Sequence, residues 1–390
     1  LIDPATLRGD WNYPTRLRFG PGRIAELPVA CAALGMTRPL LVTDPGLAAL
    51  SMVGEAVARN EAAELPTGLY TDVEGNPVGR NVEGGVSTYR AGGHDGVIAF
   101  GGGSAIDAGK TIALMAGQSR PLWDFEDKGE NWRRADPNGV APIIAVPTTA
   151  GTGSEVGRAS VIINEGERVK KIIFHPKMMP SEVIADPELT VGLPPHLTAA
   201  TGMDALAHCV EALCAPGFHP MADGIALEGV RLVYEWLHRA YTDGTDLSAR
   251  AHMLAAASMG ATAFQKGLGA VHAISHPVGA IYGVHHGLAN AIVLPYVLRF
   301  NRTAVEEPML RLARYVGLPE ISFEAVMTWL LDLRQNLGIP ENMGALGVPD
   351  DEADRVALAA ANDPTASGNP VAVDEAALKA LFLDCVHGKL

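Results

Sequence analysis

The sequence predicts an α/β N-terminal half built on a parallel sheet, followed by an all-α C-terminal half. Three observations predict it. Short, uniformly apolar runs alternate with helical stretches up to about residue 190, and strand-like patterns nearly vanish beyond it. Of 43 glycines, 26 fall within residues 1–200. Of 12 histidines, nine fall within residues 201–390. The chain has 390 residues, and at about 150 residues per domain it is expected to hold two to three. The expected domains are residues 1–190 and 191–390.

The elements follow in order. Residues 39–43 read as a strand ending at Asp44, 96–100 as a second ending at Gly101, 143–146 as a third and 183–185 as a fourth. Strands apolar on both faces imply a parallel sheet covered on both sides. Ligands on such sheets bind beyond the C-terminal strand ends, where Asp44, residues 101–103 and residues 148–153 stand. From Pro194-Pro195 onward, helices are expected at 196–214, 222–241, 247–264, 270–280, 289–299, 306–316, 323–337, 350–362 and 374–386.

Composition excludes several classes. Hydrophobic residues make up 48% and charged residues 19%, enough for a sizeable core and unlike a disordered chain. The formal net charge of −14 argues against binding a nucleic-acid backbone, which needs excess Lys and Arg. Cys31, Cys209, Cys214 and Cys385 show no CxxC spacing and are too few for a disulfide framework, so a reducing, cytoplasmic setting is expected. No apolar run reaches the ~18 residues of a membrane span. The first residues lack the basic and apolar regions of a secretory signal.

Two loops of the first half suit a nucleotide. Gly101-Gly102-Gly103-Ser104 follows a strand and opens a helix. Its glycines let backbone approach a charged group, and the helix N-terminus offers free N–H donors to a pyrophosphate. The glycines are consecutive, so this is not GxGxxG, and no GK[ST] follows, so it is not a Walker A loop. A plain strand-to-helix turn is the alternative. The second loop, residues 147–155, carries Thr148, Thr149, Thr152 and Ser154, whose hydroxyls can donate to ribose or phosphate oxygens. Asp44 could accept from adenosine ribose hydroxyls and repel a 2′-phosphate, favouring NAD over NADP. It could equally cap a helix. A plain Ser/Thr/Gly loop is the alternative for the second, and the two loops on one sheet edge together favour a nucleotide-binding, Rossmann-like sheet.

The second half carries the imidazoles. Asp204 and His208 stand at i, i+4, on one face of a helix among small or apolar neighbours. A buried carboxylate beside an imidazole needs a partner, either a hydrogen bond inside the core or a metal. His272, His276, His285 and His286 then fall within fifteen residues, and residues 267–283 contain no charged side chain. Pro277 is expected to keep His276 out of ideal helix, with a loop returning the chain to His286. One carboxylate and three imidazoles suit Fe(II) or Zn(II), with Ni(II), Co(II) and Mn(II) also compatible. Such a site carries a formal charge of +1, enough to polarise a carbonyl or hold an alkoxide.

At these motifs the chain resembles the iron-containing (group III) alcohol dehydrogenase family. The carrying segments are Gly101-Gly-Gly-Ser104 with Asp107 and Lys110, residues 147–155, Thr201-Gly-Met-Asp-Ala-Leu-Ala-His208, residues 267–280, and His286-Gly287. The resemblance runs from Phe19-Gly20 to at least Asn290. It implies a nucleotide-binding α/β domain, a helical metal-binding domain and an active site in a cleft between them. It implies metal ligation by Asp204, His208, His272 and His286. It places His276 near nicotinamide and substrate, where an imidazole titrating near pH 6.5 could relay a proton. Asp107 is expected beside the nicotinamide. The phosphate loop is Gly101, Gly102, Gly103 and Ser104, with Thr148, Thr149, Thr152 and Lys171 toward the cofactor ribose and Asp44 selecting the cofactor. His285 has no counterpart. The charged stretch 123–137 is either a cleft-edge loop or a solvated insertion. The implied activity is hydride transfer between a small alcohol and NAD, by a homodimer or larger homo-oligomer. Rival activities are a maleylacetate reductase-like reduction without metal, and a dehydroquinate-synthase-like lyase that recycles its NAD and uses a Glu-and-two-His set.

Overall fold

The fold is that of a computed structural model, which describes residues 15–167 and 169–390. The segment that the secretory-signal expectation concerned lies outside the described residues. By internal contacts the described chain divides into an α/β unit, residues 15–149 and 153–192, and a helical unit, residues 193–390 with 150–152.

The α/β unit runs β1 (Arg16–Phe19), α1 (Leu27–Ala33), β2 (Pro39–Val42), α2 (Pro45–Ala48), α3 (Ser51–Ala62), β3 (Gly68–Tyr70), α4 (Gly79–Ala91), β4 (Gly96–Gly101), α5 (Gly103–Met115), β5 (Ile143–Pro147), β6 (Ala159–Asn164), β7 (Val169–Phe174) and β8 (Glu182–Ala185). Six strands form one sheet in the order β1-β8-β5-β4-β2-β3, parallel throughout. Alternation divides its apolar side chains between two cores. Leu40, Val42, Val97 and Ile143 pack with Val82, Val86 and Ile112 on one face. Leu41, Ile98, Phe100, Ile144, Val146 and Ile184 pack with Leu27, Ala30 and Val53 on the other. Strands β2, β4, β5 and β8 are buried along their whole length, which is why, apart from Glu182 at the start of β8, they read as apolar runs. Each large side chain so buried contributes roughly 1.5–3 kcal/mol.

Four strands escaped the sequence reading. β1 is an Arg-containing strand at one sheet edge and β3 has three residues at the other. β6 and β7 pair antiparallel as a separate ribbon, mostly half-buried, and their three-residue apolar runs, 161–163 and 172–174, are each bounded by polar side chains.

The helical unit comprises α6 (Pro195–Cys214), α7 (Pro220–Thr242), α8 (Leu247–Ala263), α9 (Ala270–Tyr282), α10 (His286–Phe300), α11 (Arg302–Val316), α12 (Phe323–Asn336), α13 (Ala353–Ala361) and α14 (Glu375–His387). All nine expected helices are present. Every residue of α6 from Thr198 to Cys214 is buried, as a helix apolar on all sides must be. Two local expectations are corrected. α9 passes straight through Pro277, so His276 stays helical. α10 begins at His286 rather than Ala289, with His285 at its N-cap position, so His286 is the first residue of a helix and not part of a loop.

Candidate metal and active site

The helical unit assembles Asp204, His208, His272 and His286. One oxygen and three imidazole nitrogens, one from each residue, lie within 4.8 Å of one another, and three of the four residues are buried. α6 supplies Asp204 and His208 one turn apart, with His208 Nε2 3.9 Å from Asp204 Oδ1. α9 supplies His272, whose ring stacks on His208 at 4.7 Å between centroids. The first turn of α10 supplies His286, with Nε2 3.7 Å from Asp204 Oδ1. That approach depends on Gly287. A Cβ there would stand 2.3 Å from the Ala200 carbonyl oxygen and 3.1 Å from Asp204 Cβ, so only glycine lets α10 lie against α6.

Three further side chains complete the centre, and sequence reasoning passed over all of them. Asn290, one turn beyond His286, is fully buried. Its Nδ2 donates to Asp204 Oδ1 at 2.7 Å and lies 3.1 and 3.2 Å from Nε2 of His272 and His286. Its Oδ1 is buried with no hydrogen-bond partner among the described residues. Glu211, one turn after His208, accepts the Val271 N–H at Oε1 (2.8 Å) and pairs through Oε2 with His272 Nδ1 (2.5 Å). Asp363 pairs with His276 Nδ1 at 2.7 Å, while its other oxygen accepts the N–H and hydroxyl of Thr365. Spacing gave a signal for two of them. Glu211 lies three residues after His208 and Asn290 four after His286, both helix-face intervals. Asp363 had none, because it meets His276 only in the folded chain.

Burial and the neighbouring charges together set the charge states. Burial pushes the fully buried His208 down to about 4, so at neutral pH its imidazole is neutral, as a metal ligand must be. His272 is also fully buried, but the adjacent Glu211 outweighs burial and holds its pKa above the ordinary value. Burial would raise Asp363, yet His276 and the Thr365 donors hold it below the usual carboxylate range. The residues fit a divalent cation: one oxygen and three nitrogens converge within 4.8 Å, three of the four residues are buried, and a carbonyl oxygen of Asn290 is left over.

In the α/β unit the expected loops meet at neighbouring strand ends. Gly101 closes β4 at φ +149°, where a Cβ would stand 2.7 Å from Ala105 Cβ. Gly102 is the N-cap of α5 and Gly103 its first residue. Ser104 Oγ donates to the Gly75 carbonyl at 2.6 Å. The Thr148 N–H donates to the Gly101 carbonyl at 3.0 Å, and the Thr149 side chain lies 3.3 Å from where a Gly102 Cβ would be. Asp44 caps α2 through the Leu47 N–H, so the capping alternative holds. Its Oδ2 faces the glycine turn, 3.8 Å from a Cβ built on Gly101. Thr152 is grouped with the helical unit.

Two expected cofactor contacts have internal tasks. Asp107 is buried and both its oxygens are engaged, by the Ser154 hydroxyl and the Val161 N–H at 2.8 Å. It also pairs at 3.4 Å with the fully buried Lys110, whose ammonium donates to carbonyls of Ser154 and Ala159. Asp107 and Lys110 thus fasten the second polar loop to α5. Lys171 lies on the ribbon and pairs with Glu167 at 2.7 Å and Glu126 at 3.5 Å. The stretch 123–137 packs on the same ribbon, with the Asp127 N–H on the Ile172 carbonyl and Trp132 edge-on to Phe174. It is not a freely solvated insertion.

A parallel-sheet α/β unit with a glycine turn, and a helical unit with a largely buried Asp–His₃ cluster, fit a metal-dependent enzyme that uses a dinucleotide. Residues 14–187 match the model of the iron-containing alcohol dehydrogenases, and residues 198–386 match that of the C-terminal region of the Fe-containing alcohol dehydrogenase family. The chain belongs to the iron-containing alcohol dehydrogenase family, as an NAD-dependent alcohol dehydrogenase of iron type. It is 41% identical over 369 residues to a 4-hydroxybutyrate dehydrogenase of Cupriavidus necator, covering 92% of this chain and 94% of the relative. It is 35% identical over 382 residues to a 1,3-propanediol dehydrogenase of Klebsiella pneumoniae, covering 96% and 97%. A crystal structure of a 1,3-propanediol oxidoreductase superposes with a TM-score of 0.91 at 34% identity, covering 97% of this chain and all of the other. Among the described residues no helix is long and apolar enough to cross a membrane.

Proposed function

We propose that the enzyme oxidises a short primary alcohol with a second polar group at its far end, such as an ω-hydroxy acid or a terminal diol, and reduces the matching aldehyde in reverse. The similarity to 4-hydroxybutyrate and 1,3-propanediol dehydrogenases supports the substrate class. The reaction reading rests on one observation, the convergence of Asp204, His208, His272 and His286 within 4.8 Å. These four hold the divalent ion, Fe(II) first and Zn(II) second. When bound, the ion supplies Lewis acidity that lowers the pKa of a substrate hydroxyl. The residues 101–104, Thr148, Thr149, Thr152 and Asp44 hold NAD, with Asp44 disfavouring a 2′-phosphate.

His276 takes the hydroxyl proton. Its Nδ1 faces Asp363 at 2.7 Å, which leaves Nε2 as the proton acceptor. Its ring stacks on that of His286 at 5.4 Å, so the base is held beside a ligand residue. The same reading places the enzyme in the cytoplasm as a homodimer or larger. Its four cysteines are buried and free, and light scattering on the purified protein tests the assembly.

The test is NADH formation by metal-stripped protein reloaded with Fe(II) or Zn(II). Substrates are 4-hydroxybutyrate, 1,3-propanediol, 1-butanol and ethanol. The expected result is activity only after reloading, kcat/KM for the first two at least tenfold above the simple alkanols, and loss of metal in His286→Ala. Equal kcat/KM across the four alcohols would overturn the substrate class. Full activity of stripped protein, or of His286→Ala, would overturn the site.

A further inference from the structure

The buried carboxylate of Glu211 is absorbed neither by the ligand set nor by the proton path. It sits on the face of α6 that carries Asp204 and His208, three residues beyond the latter. Both its oxygens reach the start of α9. Oε1 accepts the Val271 N–H at 2.8 Å and Oε2 meets His272 Nδ1 at 2.5 Å. α9 has no cap of its own, because its N-cap residue is Gly269. Its first N–H, that of Ala270, is taken by Asn369 Oδ1 at 3.2 Å and the next by Glu211. A Cβ on Gly269 would stand 2.8 Å from Asn369 Oδ1 and 3.0 Å from Glu211 Oε1, so these remote carbonyl and carboxylate oxygens occupy the space a local cap would need. A carboxylate is also the group that a helix N-terminus favours.

We propose that Glu211 is a positioning residue that fixes the His272 tautomer, holding the proton on Nδ1 so that Nε2 presents its lone pair to Asp204, His208 and His286. The inference rests on the four-ligand reading of the centre. A neutral imidazole carries one N–H, and the partner of one nitrogen decides the state of the other. An ionised carboxylate only accepts, so beside Nδ1 it leaves Nε2 bare. Because Glu211 also holds the Val271 N–H, the ring is fixed to the helix that carries it and to the helix that carries two other ligands.

Glu211→Gln has the same size but reverses one donor. If its carbonyl keeps the Val271 N–H, its NH₂ faces His272 Nδ1 and drives the proton to Nε2, against the metal. If it turns over, two buried N–H groups face each other at α9, an arrangement with no compensating acceptor. Either way Zn(II) binds less tightly.

The test measures the Zn(II) dissociation constant by chelator competition in wild type, Glu211→Gln and His272→Ala. Nitrogen-15 NMR of the His272 ring in metal-free protein is recorded at alkaline pH, where the imidazole is neutral. Glu211→Gln is expected to weaken Zn(II) by about 10–100-fold, the range for such supporting partners. The wild-type ring is expected as the Nδ1–H tautomer. A Glu211→Gln affinity within twofold of wild type overturns the proposal. So does an Nε2–H tautomer in wild type, which needs no variant to fold. If wild type fails to bind Zn(II), or His272→Ala binds it as tightly, the four-ligand reading falls instead.

Discussion

At the residue scale, two of the histidines at the centre are distinguished by what their two ring nitrogens meet. His272 and His276 lie one turn apart on α9, and both place Nδ1 on a buried carboxylate, Glu211 and Asp363 respectively. They differ in what Nε2 meets. That of His272 faces the amide nitrogen of Asn290 inside the cluster, whereas His276 is outside the group of four donors. Asp363 belongs to a turn of its own, where Thr365 occupies its second oxygen, so its aim at His276 is fixed independently of the metal. Asp363→Asn is therefore expected to keep the metal content and lower kcat about tenfold or more, within the ~10²–10⁴ that a general base contributes as a whole. Metal analysis alongside steady-state kinetics checks this, and an unchanged kcat would mean that His276 works without the Asp363 charge. Spacing and an uncharged neighbourhood marked Asp204, His208 and the histidines of residues 272–286 as candidates, while the choice of His272 and His286 over His276 and His285 came from the family resemblance. Their supports were not all legible. Asp363 and His276 are 87 positions apart, a distance no periodicity spans.

At the element scale, the centre is a product of close helix packing. α6 is buried on every side, so the charge of Asp204 must be answered by the helices against it, and α10 can answer only by coming near. Gly287 permits that, because any Cβ would press on the Ala200 carbonyl at 2.3 Å. Backbone cannot rotate away as a side chain can. Gly287→Ala is expected to push the first turn of α10 outward, draw His286 from Asp204 and cost about 1–3 kcal/mol. Chemical denaturation of the metal-free protein measures the stability term, and Zn(II) competition the loss of affinity. A variant as stable and as tight as wild type would mean that α10 approaches α6 without needing glycine. The pattern His286-Gly287 was visible in the sequence, but the helix start was placed three residues late, since His-Gly reads as loop. The β6–β7 ribbon was invisible for a different reason. Its strands are mostly half-buried and carry Lys170 and Lys171, so each apolar run is three residues long and bounded by polar side chains. Lys171 stands on this ribbon and pairs with Glu126 and Glu167.

At the scale of the whole molecule, both units have an apolar interior and both bury some charged groups. The α/β unit has two apolar cores on either side of a buried sheet, a construction complete without any ligand. The helical unit includes in its interior Asp204, Glu211, His208 and His272, groups whose burial is costly unless they are paired. A bound cation joins α6, α9 and α10, elements up to 82 residues apart in their ligands (Asp204 to His286), so its binding free energy is also folding free energy of that unit. With free metal a thousandfold above its dissociation constant, the native state gains about 4 kcal/mol. Amides that exchange through opening of the helical unit should then exchange up to about 10³-fold faster once a chelator removes the ion. Hydrogen exchange read by mass spectrometry is expected to show this acceleration in α6, α9 and the first turns of α10, with β2, β4 and β5 changed far less. Equal acceleration in those strands would mean that the ion stabilises the chain as one cooperative body. No acceleration in α6 would mean that the cluster holds itself together without the ion, by the Asn290 and Glu211 hydrogen bonds alone.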